Sequence, residues 1–221
     1  MFLKRWFKYK VNYPKNANNK LILHTKSGTK VNPWFCPKLK IHFKGKNSVV
    51  EIFSPELLQG SEFFVYDEDC FVIKNAIGNI FVVGGCKSNL YIDEGSILQN
   101  TKFLLNDEIG ASIHIGKDCM FAIDTTVWAS DTHKICDLES GKILNKARKG
   151  IDIGNHVWVG TRCIILKETS IQDGSVVGAG SLVCNQFNSP NIVIAGNPAK
   201  QIKTSIQWKR EGFIEKQEHE I

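Results

Sequence analysis

One histidine in this sequence stands where chemistry is most easily placed. His133 closes the polar run Ser130, Asp131, Thr132, six residues after Val127. Its surroundings repeat every six residues, and at this position the repeat expects an inward aliphatic. A histidine there is either buried and satisfied or marks the point where the chain leaves the repeat. The polar run favours the second reading. A neutral imidazole within hydrogen-bond reach of a hydroxyl can take its proton as the oxygen attacks a carbonyl. The resulting oxyanion needs a donor, such as a backbone N–H at a turn. A further group must hold the ring in one tautomer. Asp131 and Asp124 are candidates for that role, and either could instead be an ordinary turn carboxylate.

The repeat supplies the elements that position these groups. From Ile153, every sixth residue is aliphatic and β-branched: Val159, Ile165, Ile171, Val177 and Val183. The residue four further on is small or β-branched, as at Val157, Cys163, Thr169, Ser175 and Ser181. A second run reads Tyr91, Ile97, Phe103, Ile109, Ile115, Phe121, Val127, and a weaker one Val65, Phe71, Ile77, Val83. A period of six fits neither the 3.6 of a helix nor the alternation of a long strand. It fits short strands joined by tight corners, each strand sending one large aliphatic inward. Three strands close a triangular coil, and stacked coils bury one apolar column. A β-sandwich with regular turns would not keep this register.

The organisation follows. Residues 1–60, rich in Asn, Lys and Pro, read as an irregular N-terminal cap. Residues 61–203 read as the all-β parallel helix. Ile153 follows Val127 by a step of 26 residues, four sixes plus two, so the register cannot run through. A loop insertion over about 131–150 is expected there, and long loops in compact domains are commonly functional. Residues 204–221, charged but carrying Ile206, Trp208, Phe213 and Ile214, read as a short helix packed back on the solenoid.

Composition bounds the rest. At 43% hydrophobic and 23% charged, the chain is neither disordered nor collagen-like. No apolar run approaches the ~20 residues of a membrane span. The basic, aromatic first ten residues lack the pattern of a signal peptide and suggest at most peripheral membrane contact. Seven scattered cysteines without a CxxC pair read as reduced thiols of a cytoplasmic protein. A net charge of +6, spread along the chain, suits a polyanionic ligand but gives no nucleic-acid signature.

Several segments resemble a known family. Ser130-Asp131-x-His133, the loop, and Ile153-Gly154-Asn155-His156-Val157-Trp158-Val159-Gly160 are similar to the hexapeptide-repeat acetyltransferases. The likeness is to the maltose and galactoside branch, and more to the O-acetyltransferases of capsular and lipopolysaccharide glycans. Val177-Gly178-Ala179-Gly180-Ser181 and Ala195-Gly196-Asn197-Pro198-Ala199-Lys200 resemble the corner and closing signature of that family. The resemblance covers roughly residues 90–205. It implies a left-handed winding, acetyl-CoA as co-substrate, a sugar hydroxyl as acceptor and His133 as general base. It places Trp158, Gly160, Thr161, Gly178 and Ala179 along the acetyl-CoA path, with Lys200 and Lys203 meeting the CoA phosphates. A solvated basic tail is the alternative for those lysines. Asp124 and Asn145 become candidates for contact with the acceptor. A homotrimer with its sites between subunits is also implied. An amino-sugar N-acetyltransferase on the same fold is the alternative activity, although residues 1–60 show no glycine-rich nucleotide turn. A β-helical zinc enzyme of the carbonic anhydrase type would need three converging histidines. His114, His133 and His156 are available without the close pair, and no metal is expected.

Overall fold

A computed structural model describes residues 10–36, 38–106 and 108–211. The chain winds as a parallel β-solenoid with three strand ladders along its axis. Face 1 stacks β1 (Lys20–Thr25), β4 (Val49–Phe53), β6 (Cys70–Lys74), β8 (Asn89–Ile92), β10 (Ser112–Ile115), β13 (Ile151–Ile153), β16 (Ser170–Ile171) and β19 (Gln186–Phe187). The short β2 (Gly28–Val31) folds back antiparallel on β1. Face 2 carries β11 (Met120–Phe121), β14 (Trp158–Val159), β17 (Val176–Val177) and β20 (Val193–Gly196). It is closed by β21 (Ala199–Lys203), antiparallel to β20. Face 3 stacks β12 (Thr126–Trp128), β15 (Ile164–Leu166) and β18 (Leu182–Val183). Towards the N-terminus come β3 (Lys40–Phe43), β5 (Glu62–Val65), β7 (Ile77–Val83) and β9 (Ile97–Leu104). β9 spans two faces: its first residues pair β11 and its last pair β12.

The hexad register from residue 151 onward matches the core. Ile153, Val159, Ile165, Ile171, Val177 and Val183 are each at most 1% exposed. Their companions Val157, Cys163, Thr169, Ser175 and Ser181 are buried beside them. Apolar burial of this kind contributes about 1.5–3 kcal/mol per large side chain, and each coil depends on its neighbours for it.

The earlier register needs correction. Phe103, Ile115, Phe121 and Val127 point inward, as do Val65 and Phe71, but Ile109 is 73% and Ile77 44% exposed. Tyr91, Ile97 and Val83 are half-buried on outer faces, and Leu90, Ile92, Leu98 and Val82 fill the core instead. For Tyr91 and Ile97 the cause lies in β9. Asn100 takes a left-handed backbone (φ 50) inside the strand, so the step from Leu98 to Phe103 is five residues. The N-terminal residues continue the same apolar column through Leu21, Leu23, Ile41, Phe43, Val50 and Ile52.

The expected C-terminal helix needs correction over its described part. Residues 204–211 hold no helix, and 212–221 lie outside the described residues. Trp208 docks from extended chain, because its indole N–H and its carbonyl both find partners on the solenoid. Among the described residues no helix is long and apolar enough to cross a membrane. The basic start of the chain falls on residues 1–9, also outside the described residues, and Lys10.

Candidate active site

The insertion leaves the solenoid at the corner between faces 3 and 1. Ile113 pairs Ile151, 38 residues on, whereas Ile153 pairs Ile171, 18 residues on. Twenty residues are therefore looped out between β12 and β13. Antiparallel pairing of Cys136 with Ile143 and the bond from Leu144 N–H to the Ile135 carbonyl (2.8 Å) make the excursion a hairpin.

Its base is pinned by side chains. Ser130 Oγ donates to the Asn106 carbonyl at 2.5 Å. Thr132, in the left-handed region (φ 59), turns the chain, and His133 N–H reaches back to the Asp131 carbonyl at 2.6 Å. Asn145 closes the ring. Its Nδ2 donates to Asp131 Oδ2 and to the His133 carbonyl, both at 2.8 Å, and its Oδ1 accepts from Ile135 N–H at 2.8 Å. Lys167 Nζ donates to Asp131 Oδ2 at 2.5 Å and to the Asn145 carbonyl. Glu108 and Glu168 accept from the amides of Ala147 and Arg148. Partial burial pushes the Asp131 carboxyl up, but the hydrogen bonds from Lys167 and Asn145 and the ammonium charge outweigh it. The net result is a value below the usual carboxylate range.

His133 sits exposed at the rim of a pocket of about 320 Å³, walled by Glu108 and Ile109 opposite Thr132, Ile143 and Asn145. The outward turn of Ile109 thus has a use: it is pocket wall rather than core. Five histidines fall within the described residues. His24, His42, His114 and His156 each set a ring nitrogen on a carboxylate, at 2.6–3.0 Å. Among the described residues only His133 has neither ring nitrogen so engaged. Its imidazole is available to a hydroxyl entering the pocket.

The expected site residues do not all gather here. Asp131 lines the pocket, and its carboxylate anchors the loop by holding Lys167 and Asn145 and not the His133 ring. Asn145 is in the pocket and fixes the His133 backbone. Asp124 lies at the corner between faces 2 and 3, bonded to Asn100, and does not line the pocket. Gly160, Thr161, Gly178 and Ala179 share that second corner. Face 3 separates the two corners, about 13 Å for four extended residues. Trp158 stands 38% exposed on face 2, and Lys200 and Lys203 are exposed on β21, at the end of that face beyond β17 and β20. At the Gly160 corner the coils stack so tightly that a Cβ on Gly160 would come within 2.6 Å of the Ala179 nitrogen. Ala179 and Gly180 leave its outer surface open, with only a methyl group projecting.

Lys167, Glu108 and Ile109 escaped the sequence reading. Lys167 had a signal: it lies two positions past Ile165, the register partner of Val127, and so faces the start of the insertion. No group of three or more His, Cys, Asp or Glu among the described residues could hold a metal ion. His114 lies on face 1, bonded to Asp152, and His156 at the corner between faces 1 and 2, bonded to Asp118, so the three histidines do not converge.

Comparison with known proteins adds the following. The chain is 39% identical over 99 residues to a polysialic acid O-acetyltransferase of Escherichia coli O1:K1 / APEC, covering 45% of this chain and 32% of that relative. It is 44% identical over 101 residues to the polysialic acid O-acetyltransferase of Neisseria meningitidis, covering 46% of each. The chain therefore spans a third to a half of the length of these curated relatives. In structure it is similar to the polySia-specific acetyltransferase NeuO, with a TM-score of 0.79 and 28% identity, covering 95% of this chain and 92% of that one. No family model matches. The fold is that of NeuO, a left-handed parallel β-helix, and the hand expected from the resemblance is the hand found.

Proposed function

We propose that this chain, a left-handed β-helical relative of O-acetyltransferases, transfers an acetyl group from acetyl-CoA to a sugar hydroxyl of a bacterial surface glycan. The observation that carries the reading is the exception made by His133. Every other described histidine spends a ring nitrogen on a carboxylate, whereas His133 is held by its backbone, with its ring at a pocket rim. Its imidazole would take the proton of the acceptor hydroxyl as that oxygen attacks the thioester carbonyl, and would return it to the departing sulfur. Asp131 keeps the loop in place for this, through Lys167 and Asn145.

Acetyl-CoA supplies the activated acyl group. The corner of Gly160, Thr161, Gly178 and Ala179 fits a slender pantetheine arm, because small residues admit close approach to backbone amides. Trp158 would flank that arm, and Lys200 and Lys203 would meet the phosphates by charge. These groups lie across face 3 from His133 in one chain. We therefore read the protein as a homotrimer, with His133 of one chain facing the CoA corner of the next. An outward row on face 3 supports this: Phe64, Val83, Leu104, Trp128 and Leu166 align in register, apolar and only half-buried. Scattered reduced cysteines support a cytoplasmic site of action. The relatives are named for polysialic acid, which makes it the first acceptor to try. In the decisive experiment, acetyl-CoA and a glycan panel containing polysialic acid are incubated with the protein, and CoA release is followed. Acceptor-dependent release lost in His133→Ala supports the reading. Release that persists in that variant moves the base elsewhere, and an absence of acetyl-CoA binding ends the reading.

A further inference from the structure

The last described residues form a strap with a defined chemistry. Past β21 the chain turns back along the corner between faces 1 and 2. Ile206 N–H bonds the Asn191 carbonyl at 3.0 Å. Trp208, only 7% exposed, stacks on the His156 ring with centroids 4.0 Å apart and planes 9° from parallel. Its indole N–H donates to the His156 carbonyl at 2.8 Å. Arg210 donates to the Gly95 carbonyl at 2.9 Å and to Asp118 Oδ1 at 2.8 Å. The strap thus runs against the direction of winding and ties the corner residues Asn191, His156, Asp118 and Gly95 of four coils.

His156 is the pin. Its Nδ1 meets Asp118 Oδ2 at 2.6 Å and its Nε2 meets the Trp208 carbonyl at 3.1 Å. Both partners accept hydrogen bonds and neither donates, so both contacts are satisfied only when both ring nitrogens carry hydrogen. The charged groups around the ring are Asp118, Arg210, the Lys117–Glu94 pair and, across Asn155, Asp173. Trp208 also lies against Trp158, with centroids 6.0 Å apart and planes tilted 45°, within the range of a favourable aromatic pair.

We propose that Trp208, His156 and Arg210 are positioning residues for acetyl-CoA: the strap they fasten holds the Trp158 ring in the orientation that walls the cofactor path. The inference rests on the place given to Trp158 in the proposed function. It assigns the Asp118–His156 pair to the strap and removes His156 from the reaction itself.

The test measures CoA binding to the full chain directly, by calorimetry, beside steady-state kinetics. Trp208→Ala weakens CoA binding and raises KM for acetyl-CoA by about two- to tenfold, the range that loss of one aromatic pair implies, while kcat is nearly kept. Trp208→Phe, which retains a stacking ring, recovers most of the loss. If Trp208→Ala fails to fold, Arg210→Gln loosens the strap without opening the core and shows the same split. A folded Trp208→Ala or Arg210→Gln variant with unchanged CoA affinity overturns the proposal and leaves the acetyltransferase reading standing. A wild-type protein that binds no CoA overturns both.

Discussion

Lys167 and Asp131, 36 residues apart in sequence, meet at 2.5 Å between Nζ and Oδ2, with the Lys167 side chain 19% exposed. Through this contact and Asn145, the regular solenoid fixes the base of an otherwise projecting hairpin. Replacing Lys167 with Met keeps the aliphatic stem and removes the charge. We expect kcat/KM to fall by about tenfold, as loss of a hydrogen bond to a charged group implies, with the melting temperature nearly unchanged. Lys167→Arg should retain most activity. Full activity in the Met variant would show that the loop does not depend on this anchor.

Protonation of Asp131 should release the same anchor. Its carboxyl lies below the ordinary range in the folded chain. The contribution to loop order is therefore complete above the unfolded value of about 3.9 and is lost as pH falls through the lower folded value. The protection of the Ile135 and Leu144 amides from hydrogen exchange, relative to the free-chain rate at each pH, should fall only at acid pH. In Asp131→Asn it should be low at neutral pH as well. Equal protection of the two proteins at neutral pH would count against the anchor.

The proposed division of the site between two corners predicts complementation. His133→Ala and Trp158→Ala should each be nearly inactive alone. Co-expressed, they should form mixed assemblies in which an intact His133 faces an intact Trp158, and activity should return in part. A mixture as inactive as its components would mean that one chain holds a whole site.

Thiol labelling should separate the cysteines by burial. Cys136 and Cys184 are exposed, whereas burial pushes the Cys36 and Cys119 thiols up to about 12. Since the thiolate is the nucleophile, Cys136 and Cys184 should label fast in the native protein, and Cys36 and Cys119 only after unfolding. Native labelling of Cys119 at the rate of Cys184 would contradict the packing described. The fast pair must also be blocked before CoA release is followed with a thiol reagent.

The sequence revealed the solenoid most clearly where no insertion or irregular step interrupts the coils. From Ile153 to Val183 the spacing of six holds at every step, so the inward set stands out although Trp158, Ile164, Leu166, Val176 and Leu182 lie beside it on outer faces. Before that, Tyr91, Ile97 and Ile109 sit on outer surfaces and mimic the inward set, and the five-residue step at Asn100 hides the true register. The broken register located the insertion, because strand pairing tolerates no fractional coil; its excess of twenty residues became countable only from the pairing of Ile113 with Ile151. The partner of Asp131 was harder to see. Nearness in sequence pointed to His133, whereas stacking brings Lys167 closer. Trp208 and Ile206 among charges read as an amphipathic helix, yet the chain stays extended, since His156 offers Trp208 both an acceptor and a donor.

The antiparallel flaps β2 and β21 have a consequence for assembly. A parallel ladder that ended bare would present a row of unpaired N–H and C=O groups, a template on which another chain could continue the sheet. β2 lies over that row on face 1 at the N-terminal end, and β21 over the row on face 2 at the C-terminal end. Each flap reverses the strand direction, so an incoming copy cannot propagate the ladder in register. Lys200 and Lys203, exposed on β21, add charge at that rim. The lysines read as phosphate contacts thus also guard against end-to-end fibre growth.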